Sequence, residues 1–101
     1  MAHHTLTLNY LANGDFRPGT DVLQVGDGDT ISFKLGTVPL KSTFSITLDP
    51  KLFSLAEVKD SSTQVTVVKA ALTRYQCQLC DESGKPLPWA AGGAQMEPAG
   101  P

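Results

Sequence analysis

Two cysteines stand three apart in Cys77-Gln78-Leu79-Cys80, the CxxC spacing found in zinc sites and thiol oxidoreductases. A redox pair of that kind opens a helix, whose amino terminus stabilises the thiolate, and a structural zinc needs four ligands. Here the surrounding residues alternate, with Tyr75, Cys77 and Leu79 apolar and Gln76 and Gln78 polar. On an extended strand, residues three apart point to opposite faces with Cα atoms roughly 10 Å apart, too far for a disulfide. The pair is therefore expected as two ordinary thiols, Cys77 buried and Cys80 exposed.

The two histidines, His3 and His4, are adjacent and close to the start. Removal of a methionine that precedes alanine leaves Ala2-His3-His4. Its free amine, two amides and third-position imidazole offer four nitrogens in a plane to copper or nickel. Ala2, His3 and His4 are the metal candidates. Blue copper is excluded by order, because its second histidine follows the cysteine and none follows Cys77; Met96 reads as core or tail. Asn13, Asp15, Asp27 and Asp29 offer oxygens to calcium if their loops meet at one end, and turn chemistry accounts for all four without it. Serine-nucleophile catalysis lacks a placed base when both histidines fall in the first four residues. The chain reads as non-catalytic, with no resident cofactor.

These residues must be positioned by strands. Period-two alternation puts Leu6, Leu8 and Tyr10 on one face of 5–10, Ile31, Phe33 and Leu35 on one face of 30–35, and Phe44, Ile46 and Leu48 on one face of 43–48. Further strands are predicted at 21–25, 64–68, 74–79 and 94–97. Turn clusters separate them: 13–15 extended through Arg17-Pro18-Gly19, a hairpin at Gly26-Asp27-Gly28-Asp29, and a hairpin tip at 81–85. Residues 51–59 fit either a short helical turn or an edge strand. About seven short strands without a long helix predict an all-β antiparallel β-sandwich, immunoglobulin-like or cupredoxin-like. Tyr75-x-Cys77 partly matches the tyrosine corner of immunoglobulin domains, but there is no earlier cysteine to pair and Trp89 comes after that strand.

The chain has 101 residues, enough for one core and too few for two, so 1–98 reads as a single domain with 99–101 a frayed tail. A formal charge of −2, with no run of Lys or Arg, gives no footprint for nucleic acid. No apolar run reaches membrane-spanning length, and no secretory signal pattern opens the chain, so a cytoplasmic location is expected.

Asp49-Pro50, after the strand at 43–48, and Glu97-Pro98 near the end resemble the paired signatures of the DP-EP family of small bacterial proteins. The resemblance spans most of the chain, from the first strand to Glu97-Pro98. It implies a bacterial β-sandwich and leaves the biochemical role undefined.

The functional expectation is a small binding or protein-interaction domain, its partner a protein or small ligand; the alternative is a metal protein using Ala2, His3 and His4. Phe16 and Arg17 beside Pro18, and Trp89, are the candidate binding residues, because aromatic and Arg side chains anchor interfaces. Exposed edge strands make a homodimer a further expectation.

Overall fold

Leu6 and Leu8 are buried while Thr5 and Thr7 beside them are not, and this alternation seats the first strand, β1 (His3–Tyr10), with one face on the core. The computed structural model describes residues 1–100 and places nine strands and no helix among them. After β1 come β2 (Phe16–Pro18), β3 (Val22–Val25), β4 (Thr30–Leu35) and β5 (Thr43–Thr47). They are followed by β6 (Glu57–Val58), β7 (Gln64–Thr66), β8 (Thr73–Cys80) and β9 (Pro86–Pro98). A four-stranded sheet, β2-β1-β4-β7, packs on a five-stranded sheet, β3-β9-β8-β5-β6.

The all-β sandwich is the fold that the alternation predicts, with strand count and pairing added. The strands beyond about seven are short, and a two-residue strand such as β6 leaves no alternation to read. Both sheets are mixed, because β1 pairs parallel with β4 and β3 parallel with β9. The 26–29 turn accounts for the first of these pairings. It is not a hairpin within one sheet: β3 lies in the five-stranded sheet and β4 in the other, so the turn arches between layers and returns the chain alongside β1. Residues 51–59 contain the edge strand β6, and Phe53 bridges to Val67. Asp49-Pro50 opens that segment, where the Asp49 carbonyl accepts from the N–H groups of Leu52 and Phe53. The last strand runs the 13 residues of β9 rather than 94–97, held by pairing to β8 although Pro86, Pro88 and Gly92-Gly93 break its alternation. Of the expected tail, 99–101, Ala99 donates its N–H to the Val25 carbonyl, and Pro101 lies outside the described residues.

The core joins both sheets, with Leu8, Ile31 and Phe33 from one and Ile46, Tyr75, Leu79 and Met96 from the other all buried. Phe33 and Tyr75 meet edge to face at 6.1 Å. Gly92 is required where β2 crosses β9, since a Cβ there would lie 2.7 Å from the Phe16 carbonyl oxygen. Sheet edges are short or covered. β2 has three residues and ends in Pro18, and the Ser54 N–H bonds the Thr66 carbonyl along β7.

Strand directions fix two ends. The 11–15, 36–42, 59–63 and 81–85 connections gather at one, here the upper end. The 26–29 arch, the 67–72 link and the beginning of β1 lie at the other.

Candidate functional site

The amino-terminal residues are laced into the lower end. His3 and His4 stand in register with Thr30 and Ile31, and the Thr30 N–H bonds the Ala2 carbonyl at 3.0 Å. Asp29, 7% exposed, gathers the donors of this region. One carboxylate oxygen accepts the Ala2 N–H at 2.9 Å; the other accepts the Gly26 N–H at 2.9 Å and faces His4 Nε2 at 2.8 Å. Those bonds, Ala2 first, then His4 and Gly26, hold the Asp29 carboxyl far below the usual carboxylate range. A planar copper chelate would use the Ala2 amine, the next two amides and His4, so it would have to compete with this ladder for the same atoms.

Neighbouring residues of a strand face opposite ways, which separates the two imidazoles. His3 lies outside, its ring nitrogens 2.7 Å from Thr30 Oγ1 and 3.3 Å from Ser32 Oγ, while His4 meets Asp29. Acid and serine therefore address different histidines, and no acid–histidine–serine relay forms among them. The calcium candidates are likewise divided: Asn13 and Asp15 lie in the β1–β2 turn at the upper end, Asp27 and Asp29 in the arch at the lower. No group of three or more His, Cys, Asp or Glu side chains suited to a metal occurs among the described residues.

Two expectations about exposure are corrected. Phe16 is wholly buried where the sheets cross, so it is a core residue and cannot present its ring to a partner. Cys80 is buried as well, outside the main core cluster and beside Lys59 and Asp81, because the connections above it cover the strand end. Burial pushes the Cys77 thiol up to about 12 and raises that of Cys80, so neither is a thiolate at neutral pH. Arg17 is ion-paired with Asp21 on the flank of the four-stranded sheet.

Trp89 remains half exposed, at 50%, and stands at the upper end with its ring edge-on to Tyr10 at 5.2 Å. Gly14, at a φ of 95°, lets the β1–β2 turn lie against this segment; a Cβ there would come within 2.9 Å of the Trp89 carbonyl oxygen. Leu40 is almost free of the protein, at 92% exposure. It is carried by a tight turn in which the Ser42 N–H and hydroxyl both bond the Pro39 carbonyl, at 3.3 and 2.7 Å, with Lys41 at a φ of 62°. For a residue with a Cβ that backbone costs roughly 1 kcal/mol or more. A hollow of about 280 Å³ lies between them, lined by Pro39, Leu40, Leu87 and Trp89 with Lys41 and Glu82. Leu11, also partly exposed, joins this end. A larger trough, about 560 Å³, crosses the outer face of the five-stranded sheet over Ser45, Arg74, Gln76 and Gly93.

Trp89 was legible as a candidate from its type alone. Leu40 was not, since a single leucine in a Pro-containing connection reads as ordinary; the signal was Lys41, two residues after Pro39, held at positive φ, which sequence does not display. At the lower end, Val68 and Leu72 are the corresponding exposed apolar side chains on the 67–72 link.

No family model and no curated protein sequence matches the chain. Among solved structures it is similar to the crystal structure of the cysteine protease inhibitor EhICP2 from Entamoeba histolytica. The match has a TM-score of 0.55 and covers 96% of this chain and 97% of that one, at 14% identity. The likeness is one of fold. No helix of the described residues is long and apolar enough to cross a membrane.

Proposed function

We propose that the chain is a non-catalytic protein-interaction domain that engages its partner with the upper end. The observation that carries this reading is the projection of Leu40 into solvent by a turn that holds Lys41 at positive φ. Held out at a backbone cost, Leu40 forms with Trp89, Leu87 and Pro39 an apolar patch on which a partner can close. Trp89 beside it supplies the large, rigid ring favoured at interface centres, and the hollow between them accepts one apolar side chain from the partner. The similarity in fold to a cysteine protease inhibitor makes a cysteine protease the first partner to try.

The test is calorimetric titration of papain with the native chain, with a Leu40→Ser/Trp89→Ala variant, and with a Val68→Ser/Leu72→Ser control at the other end. Binding that survives the control and is lost in the upper-end variant supports the reading. Binding unaffected by the upper-end changes sinks it, and an absence of binding by the native chain removes papain-like proteases as the partner class.

A further inference from the structure

We infer that Gln78 is the positioning residue that holds Trp89 in place at the upper end, an inference that rests on the interaction reading above. Strands β8 and β9 pair in register from Thr73 opposite Met96 to Gln78 opposite Ala91, and then slip so that Pro86 stands opposite Cys80. Without the slip Trp89 would occupy that place in the ladder. Residues 87–90 instead bulge from it, and the bulge sets the direction in which Trp89 leaves the sheet.

The composition of this segment decides what can hold it. Pro86 and Pro88 have no N–H, so the bulge is rich in acceptors and poor in donors of its own. The side-chain amide of Gln78 meets that need. Its nitrogen donates to the carbonyls of Leu87 at 2.7 Å and Ala90 at 2.8 Å, the residues on either side of Pro88-Trp89, and also lies 2.9 Å from the Leu79 carbonyl. Three acceptors around one nitrogen also fix which way the amide is turned, since the flipped group would set its oxygen against all three. Gln78 thereby pins both ends of a four-residue arc whose third member, Trp89, is then steadied by Tyr10.

Trp89 is the chain's one tryptophan, so its fluorescence reports this place alone and needs no partner. In Gln78→Met the two carbonyls lose their donor while side-chain volume is kept. Acrylamide quenching of Trp89 is expected to rise about twofold with cooperative unfolding retained, as the released carbonyls turn to water. Gln76→Met, on the same outer face of β8, is expected to leave quenching unchanged. A Gln78→Met protein that folds and quenches as the native chain does would overturn the assignment. If that variant does not fold, the native chain decides: the Gln78 side-chain amide protons should exchange at least about tenfold more slowly than those of Gln76, and equal rates would overturn it. These readouts do not involve papain, so binding unaffected by the upper-end changes would reject the interaction reading while leaving the role of Gln78 to be judged on its own.

Discussion

The two ends of this sandwich are built on opposite terms. At the lower end a carboxylate draws the chain together: Asp29 takes the N–H groups of Ala2 and Gly26 and the ring of His4, while its own backbone carbonyl accepts the Val67 N–H at 2.8 Å. Alongside it, the Asp27 carboxylate receives the Ala70 N–H at 2.7 Å. At the upper end the polar bonds serve instead to hold apolar groups outward, Leu40 on its Pro39–Ser42 turn and Trp89 on the arc clasped by Gln78. Folding and recognition should therefore respond to different substitutions. Changes in the core or to the bonds around Asp29 should alter stability, and loss of the exposed Leu40 side chain should not.

The largest effect is expected from Phe16→Ala, which tests the boundary of the upper end. Its ring is wholly buried and the backbone beside it is pressed onto Gly92, so the site has little freedom to collapse. Truncation should cost about 3–5 kcal/mol in urea unfolding, the range for a buried phenylalanine. A loss of less than about 1 kcal/mol would mean that Phe16 lies at the surface and not in the core.

Next comes Asp29→Asn, whose effect carries a sign in pH. Because the folded protein holds this carboxyl below its unfolded value near 3.8, the ionised group contributes its stability above that pH. The contribution is lost as pH falls through the folded-state value. Thermal midpoints of the native chain should therefore exceed those of the variant from pH 7 to about 5, and the margin should close in acid below about pH 4. A margin independent of pH would mean that packing, and not the charge, makes the lower end. The thiols offer a companion measurement: Cys77 and Cys80 are both buried and protonated at neutral pH. A disulfide reagent at pH 7.5 should leave the folded chain unlabelled and react with both cysteines in denaturant.

What could be read in advance follows the same division. Alternation in residues 5–10, 30–35 and 43–48 was enough to place Leu6, Leu8, Ile31, Phe33, Phe44 and Ile46 in the core, because each of these strands has one buried face. It said little about β9, where Gly92 is needed for a contact with another strand and Pro86 and Pro88 for a bulge; tertiary pairing there overrides local pattern. The lower-end carboxylate was hidden differently. Asp29 belongs to a Gly-Asp-Gly-Asp turn that explains itself by local bonding, and only the parallel return of β4 beside β1 brings His4 and Ala2 to it. Phe16 was misplaced because it follows a turn cluster and precedes Arg17-Pro18, where nothing local indicates a three-residue strand.

The smallest effect on folding should come from Leu40→Ser. At 92% exposure the leucine gives up almost no contact when replaced, and the turn is held by Pro39 and Ser42, which remain. Stability should stay within about 0.5 kcal/mol of the native chain. Lys41→Gly, by relieving the positive φ, should raise stability by roughly 0.5–1 kcal/mol after glycine's own entropy is counted. If Leu40→Ser instead destabilises by more than about 1 kcal/mol, the side chain packs on the fold and is not presented by it. A turn that becomes more stable on losing its lysine side chain, and a leucine whose loss the fold does not feel, would together mark the upper end as shaped for an external contact.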